Sequence, residues 1–402
     1  MSKPDILAMV MAGGKGERLY PLTLERTKPS VPFGGKYRIV DFSLSNLINS
    51  GIYSIYVLVQ YKSQSLIEHI RTTWIREGLL KKHFITVVPP QMRQRKEWYR
   101  GTADSVYQNI NLIYDFSPKL VAIFSADHVY RMNIKEMVDF HIRKKALLTI
   151  SVIPIKSNEA SNFGIVYFDK NKRVKKFIEK PKLSSKGIVY ASMGNYIFDA
   201  DFLIEVLKED AQKKTSHDFG KDIIPYLVSK KREIYAYDFS LNRIPSLKKY
   251  EEQYYWKDVG TIFSFYQANM DLLGDKPKLD LNNYDWPIYA SNINSPPSYI
   301  INSNLKNSLI CEGSKIIKST VVNSILGRSV IVEENCLIEN SIIFDFCYIQ
   351  KNSKIKNSII DRFNIIKNNT LIGYGEDKDY YIDPSSSIVV LKRGPRGTVF
   401  NF

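Results

Sequence analysis

Cysteine is scarce in this chain: Cys311, Cys336 and Cys347 are the only three in 402 residues, all in the last quarter, without metal-type spacing or a nearby histidine. They read as small core residues of a reduced protein rather than as a disulfide framework or a metal centre. Long apolar runs are also missing. Nothing approaches the ~18 residues that a membrane span requires, and Met1–Asp5 is short and charged, so a soluble, cytoplasmic protein with no membrane partner is expected. No dense basic tail or Arg-rich arm accompanies the net charge of +16, which comes from 57 Lys+Arg against 41 Asp+Glu. That charge favours anionic partners, phosphorylated substrates among them, but its lysines are scattered among Ile, Asn and Tyr, and no nucleic-acid partner is expected.

Two familiar nucleotide motifs are absent as well. A Walker loop needs Gly-Lys followed by Ser or Thr, whereas Lys15 and Lys36 precede Gly16 and Tyr37; a dinucleotide fingerprint needs a third glycine where Leu19 stands. What is present is a strand, Ile6 to Met11, running into Ala12-Gly13-Gly14-Lys15-Gly16-Glu17-Arg18-Leu19, with Lys28-Pro29 close behind. Glycines 13, 14 and 16 are expected to take positive φ and to let backbone N–H groups approach an oligophosphate, with Arg18 and Lys28 adding fixed positive charge.

At 402 residues and 44% hydrophobic content the chain can build two or three cored domains of ~150 residues. Up to residue 273, strand candidates (Ile6 to Met11, Ser54 to Gln60, Leu120 to Ser125, Leu147 to Ile155) alternate with helix candidates (Ile39 to Asn49, Ser63 to Trp74, Asp104 to Tyr114, Ile134 to Lys145). This is the rhythm of an α/β fold, a Rossmann-like, mostly parallel sheet with its ligand crevice at the carboxyl ends of the strands. Gly51 stands where a helix-ending glycine belongs. Residues 274–299, rich in Pro, Asp, Asn and Ser, read as a linker.

From residue 300 to 402 the period changes. Leu326, Val332, Ile338, Ile343, Ile349, Ile355, Ile360, Ile366 and Ile372 follow steps of 6, 6 and 5, a 17-residue repeat echoed by Asn-Ser-Ile at 323, 340 and 357. One inward aliphatic per short strand and three strands per coil predict a left-handed parallel β-helix of about four coils.

Further motifs carry the chemistry. Asp127 ends an apolar strand in Ser125-Ala126-Asp127-His128, and Asp258 lies in Tyr255-Trp256-Lys257-Asp258-Val259-Gly260-Thr261. Read alone, Asp127 could cap a helix, and Asp258 could cap the one starting near Thr261. Phe177-Ile178-Glu179-Lys180-Pro181, Asn162-Phe163-Gly164, Ala191-Ser192-Met193-Gly194 and Glu97-Trp98-Tyr99-Arg100-Gly101-Thr102 complete the set.

In this order the motifs resemble those of the sugar nucleotidyltransferases, and the run from Gly34 to Ile52 resembles the glucose-1-phosphate adenylyltransferase branch. The resemblance extends from Met9 through the terminal repeats. It implies transfer of the adenylyl group of ATP to α-D-glucose 1-phosphate, giving ADP-glucose and pyrophosphate for glycogen or α-glucan synthesis. It also implies Mg²⁺ held by Asp127 and Asp258, and Arg18 and Lys28 against the phosphates. Lys180 would hold the sugar phosphate and Glu179 the sugar hydroxyls; Gly13, Gly14, Tyr99, Gly164 and Ser192 would contact substrates. A homotetramer with a glycolytic-intermediate activator is implied too, with Arg38 in the basic effector pattern. Some family members have Lys where this chain has Glu25, and His where it has Pro32, which leaves effector identity open.

Base choice also stays open, because spacing does not distinguish ATP from UTP, dTTP or GTP. A non-catalytic regulatory subunit would tend to lose charged residues, yet Arg18, Lys28, Asp127, Lys180 and Asp258 are all present. The β-helix has no histidine to serve an acyltransferase as base, so a scaffold for assembly and effector binding is the better reading.

Overall fold

The computed structural model describes residues 5–14, 16–74, 82–91, 98–183, 187–291, 294–375 and 377–396. Met1–Pro4, Lys15 and Glu97 lie outside these ranges. The amino-terminal unit is built on a central strand, β1 (Ile6–Met11), whose middle residues are buried on both faces. The short hairpin strands β2 (Pro32–Phe33) and β3 (Tyr37–Arg38) follow, then β4 (Ser54–Leu58) and β5 (Phe84–Val88). Strands β6 (Leu120–Ser125), β7 (His128–Tyr130), β8 (Leu148–Lys156), β9 (Gly164–Phe168), β10 (Val174–Glu179), β11 (Ile188–Asp199), β12 (Ile234–Asp238) and β13 (Trp256–Asp258) complete it. The large sheet runs β10-β9-β11-β6-β1-β4-β5, with β8 joining β11 to β12. β6, β1, β4 and β5 are mutually parallel, whereas β11 runs antiparallel to both β6 and β8.

Helices α1 (Ile39–Asn49), α2 (Gln64–Thr73) and α5 (Ile134–Lys144) fall where apolar periodicity predicts them. Gly51 takes φ 80° after α1; its N–H reaches the Ile48 carbonyl at 2.9 Å and that of Ile52 reaches Leu47 at 3.0 Å, a Schellman stop. The helix expected over Asp104 to Tyr114 is in fact two, α3 (Thr102–Tyr107) and α4 (Ile110–Phe116). Asn109 breaks it: its amide donates to the Ser105 carbonyl and to the Tyr99 hydroxyl, a local alternative to helical bonding. Helices α6 (Ala200–Ala211), α7 (Ile224–Ser229) and α8 (Ile262–Met270) finish the unit.

Residues 274–298 contain no helix or strand among those described, yet they are packed. Trp286 and Ile288 are buried, Trp286 Nε1 donates to Asn46, and the Tyr289 N–H donates to Ser45. Beyond them three faces of parallel two- and three-residue strands stack into a β-helix. Each face carries five parallel strands, one face with Tyr381–Ile382 added antiparallel at its edge, so the count of about four coils is corrected to five: Tyr299–Ile310 forms a first coil on a 16-residue step, and Val389–Leu391 returns to close the last. The nine aliphatic residues of the 17-residue repeat are all at most 4% exposed. Asn307, Asn323, Asn340 and Asn357 turn one corner at φ between 46° and 48°, the left-handed conformation that asparagine tolerates well, and the amides of Asn307 and Asn323 bridge to the asparagine of the next coil. One face of the β-helix (Ile325, Ile342, Ile359, Val390) shares an apolar core with Leu19, Leu22 and Phe33, which follow the glycine loop, and Phe265 of α8.

Candidate active site

The loop after β1 opens at the carboxyl end of the parallel strands, beside Ser125 at the end of β6. Of its glycines only Gly16 takes a positive φ, 65°. The expectation of positive φ at Gly13 and Gly14 is therefore corrected. Gly13 is needed for room instead, since a Cβ there would lie 3.2 Å from Gln60 Cβ, and Gly14 has nothing within 4 Å. These glycines line a cleft of about 670 Å³ together with Arg18, Lys28, Gln60, Tyr99, Thr102, Asp127 and Asp218. Tyr99 is fixed there by two bonds, its hydroxyl accepting from Asn109 at 2.9 Å and its carbonyl from Gln60 at 3.3 Å.

Asp127 and Asp258 are 131 positions apart and meet because β7 and β13 pair antiparallel, with Asp258 opposite His128. Neither is a helix cap: Asp127 leads into a strand, and α8 is capped by Thr261, whose hydroxyl accepts the Ser264 N–H at 3.1 Å. Lys28 lies between the two carboxylates, with Nζ 3.1 Å from Asp127 and 2.6 Å from Asp258. Arg18 approaches Asp258 at 3.7 Å from the solvent side. Burial works to lower the Lys28 ammonium, but the Asp127 and Asp258 charges outweigh it and hold its pKa above the ordinary lysine value. Burial likewise works to raise the Asp127 carboxyl, and Lys28, His128 and the Ser125 hydroxyl hold it well below the ordinary range. An ammonium gripped by two carboxylates marks a place built for positive charge. One ligand atom each from Asp127, His128 and Asp258 lie within 4.8 Å of one another. Two partly exposed carboxylates, Asp127 on this cleft and Asp258 on an adjoining pocket that shares Arg18 and Gly260 with it, suit a hard divalent cation, which takes its remaining oxygens from water or phosphate.

A second cluster sits alongside. Glu179 ends β10 opposite Gly164 of β9, where a Cβ would come within 2.9 Å of the Glu179 carboxylate and 2.4 Å of the Phe177 ring. Burial raises the Glu179 pKa, Lys180 works against this, and Asp218 adds to it. Ser192 lies just before a bulge in β11 that brings Asn195 to the Ser125 N–H; its hydroxyl accepts from the Gly194 N–H at 3.3 Å. Lys180 is not drawn into the cleft: its side chain is 56% exposed and its ammonium stands 3.8 Å from Glu179.

Arg38 lies elsewhere, under the β-helix. With Lys36, Arg328, Arg362 and Arg396 it lines a separate pocket of about 360 Å³, and its guanidinium donates to Ser65. One residue of the main site carried no motif of its own. Asp218 stands between the main cleft and Glu179, and its only sequence signal is the dense polar string Ser216-His217-Asp218-Phe219-Gly220-Lys221-Asp222. Gly260 leaves space for Arg18 and Asp258, each 3.0 Å from where its Cβ would be.

Comparison with known proteins agrees with this two-part architecture. Residues 7–275 match the nucleotidyl transferase family, and residues 299–391 match the GlmU-like C-terminal hexapeptide family. The chain is 49% identical over 401 residues to the glucose-1-phosphate adenylyltransferase of Thermodesulfovibrio yellowstonii, covering 98% of this chain and 97% of that one. The chain belongs to the glucose-1-phosphate adenylyltransferase family. The members from Thermus thermophilus and Thermus caldophilus are 45% and 44% identical, each over 84% of this chain and 85% of theirs. The whole cleft, from Met11 to Gly260, falls inside the nucleotidyl transferase match, whereas the Arg38 pocket joins both matched parts of this family member.

Proposed function

We propose that this protein transfers the adenylyl group of ATP to α-D-glucose 1-phosphate, releasing pyrophosphate and ADP-glucose for α-glucan synthesis. The observation that carries the reading is Lys28 held between Asp127 and Asp258 beneath a glycine loop. The attacking group is an oxygen of the sugar phosphate, already anionic near neutral pH, so no nucleophilic side chain is required. The difficulty is to hold two polyanions in line at the α-phosphorus, and it is met by positioning and fixed charge. Gly13, Gly14 and Tyr99 receive the nucleotide. Arg18 and Lys28 stabilise the negative charge that accumulates on the departing pyrophosphate. Glu179, Gly164 and Ser192 receive the glucose ring, and Lys180, half-exposed beside Glu179, takes its phosphate.

Asp127 and Asp258 would hold Mg²⁺. When bound, that ion supplies charge neutralisation between the phosphates.

The Arg38 pocket supports regulation by a phosphorylated activator. Arg362, which lines it, has Nε and Nη2 buried without a partner among the described residues, as donors awaiting an anion would be. Burial and then the neighbouring Arg362 and Arg26 charges depress the Arg38 guanidinium, a penalty that an anion would relieve. Glu25 pairs with Arg393 at 3.0 Å, so effector choice can differ from that of members with Lys at this position. A cytoplasmic homotetramer is the assembly proposed; no helix among the described residues is long and apolar enough to cross a membrane.

Purified protein given glucose 1-phosphate with ATP, UTP, dTTP or GTP in turn, with pyrophosphate release as readout, tests the reaction. ATP is expected to be fastest, and a faster reaction with any of the other three overturns the adenylyl assignment.

A further inference from the structure

One short turn, Ser216–Gly220, touches both the cleft and the Glu179 cluster. On the cleft side the His217 carbonyl accepts the N–H groups of Ala103 and Asp104, at 2.9 and 3.2 Å, in the first turn of α3. Gly101 approaches so closely that a Cβ would lie 2.3 Å from the carbonyl oxygens of both Ser216 and His217. On the other side a Cβ at Gly220 would lie 2.9 Å from Glu179 Oε2. Between these contacts the Thr102 hydroxyl donates to Asp218 Oδ2 at 3.0 Å and accepts the Phe219 N–H at 3.0 Å. Asp218 Oδ1 in turn accepts from the Gly220 and Lys221 N–H groups, at 2.9 and 3.0 Å.

The turn is also held from behind. His217 takes φ 53°, and its Nδ1 lies 2.7 Å from Asp210 Oδ2, while the Thr215 hydroxyl donates to Asp210 Oδ1 at 2.9 Å. His217 and Asp210 are both buried, and neither lines the cleft. The network thus commits a buried His–Asp hydrogen bond and a positive-φ residue to fixing a turn rather than to contacting a ligand.

Building on the adenylyl-transfer reading, we propose that this turn couples the two substrate subsites, with Thr102 as the positioning residue through which a bound nucleotide orders Glu179 and Asp218 for the sugar phosphate. The connection has little slack. Backbone meets backbone at Gly101, a single hydroxyl both donates to and accepts from the turn, and Gly220 abuts Glu179, so a shift in the first turn of α3 is passed on to the carboxylates. Coupling of this kind is reciprocal: each substrate raises affinity for the other by the same factor.

The test is calorimetric titration of the full chain with glucose 1-phosphate, with and without Mg²⁺ and α,β-methylene-ATP, which cannot transfer its adenylyl group. Wild type is expected to bind the sugar phosphate about tenfold more tightly with the analogue present, within the usual range of site-to-site coupling. Thr102→Val keeps the volume and removes both hydroxyl bonds; it is expected to bring the enhancement below about twofold, and Thr102→Ser to restore it. A general loss of fold would lower both affinities and would not be rescued by serine in this pattern. Full enhancement in Thr102→Val overturns the proposal, as does a wild type that binds both ligands independently. A wild type that binds neither ligand removes the adenylyl reading together with the coupling, whereas independent binding of both removes the coupling alone.

Discussion

Replacing Lys28 with methionine keeps the length of the side chain and deletes the one charge that two carboxylates share. At an effective dielectric of about 20, contacts of 3.1 and 2.6 Å represent about 5 and 6 kcal/mol of gross attraction. Desolvating a side chain that is only 7% exposed cancels several kcal/mol of this, and solvent at Asp127 and Asp258, 34% and 20% exposed, screens more. A net loss of about 2–3 kcal/mol of stability is left, appearing as a lower urea midpoint. In turnover the variant also lacks a cation against the departing pyrophosphate, for which about 3–4 kcal/mol, or roughly 10²- to 10³-fold in kcat/KM, is the fitting scale. The sign of a third effect separates this account from simple damage. With the ammonium gone, the two carboxylates are free to take Mg²⁺ without nucleotide, so Mg²⁺ should raise the melting temperature of Lys28→Met more than that of wild type. The assays are pyrophosphate release with ATP and glucose 1-phosphate, and thermal melts with and without Mg²⁺. A variant that keeps kcat/KM within about threefold, or one no more responsive to Mg²⁺ than wild type, refutes the reasoning.

Other outcomes follow from individual contacts. His141 is buried against Thr149, and burial pushes its pKa down from 6.5 to about 4. The unfolded chain therefore binds the extra proton first, so stability should fall as pH drops from about 6.5 to about 4, by about 3 kcal/mol in all, and His141→Gln should flatten that part of a denaturant-midpoint profile. Gly101→Ala places a methyl group against two backbone carbonyl oxygens and should cost at least about 1–3 kcal/mol by urea unfolding, with a loss of turnover. Ile355→Ala empties a fully buried rung of the β-helix and should cost about 2–5 kcal/mol in the same measurement.

Much of this architecture could be read from periodicity. The six-residue steps of the β-helix are a direct imprint of its geometry, because each inward aliphatic stacks on its counterpart in the next coil, as Ile338 does on Ile355. The strand before the glycine loop was equally legible, since a central parallel strand is apolar on both faces. The pairing of β7 with β13 was not, because strands of three residues carry too little pattern to reveal a partner more than a hundred positions away, and the antiparallel course of β11 was not, because apolar patterning marks a strand but not its direction. Asp127 was visible as a strand-end acid and Asp258 through its motif, but their sharing of Lys28 is a product of that pairing. Asp218 was missed because its environment is made by Thr102 and Glu179, which meet it only in three dimensions. The break between α3 and α4 escaped because the apolar pattern continues across it, and only the Asn109 amide, bonded to Ser105 and Tyr99, diverts the backbone.

Two family matches meet at a surface that belongs to neither alone. Ile325, Ile342 and Ile359 of the β-helix and Phe33 and Phe265 of the transferase unit are each no more than 1% exposed and belong to one apolar cluster. Cutting the chain between the matches would therefore bare a hydrophobic wall directly behind Leu19 and Leu22, the residues that carry the phosphate loop. In calorimetric terms the modules should melt as one cooperative unit, with a single transition whose van't Hoff and measured enthalpies agree. In mechanical terms the β-helix is the back plate of the proposed nucleotide site, so a ligand or a neighbouring subunit that presses on it presses on the loop.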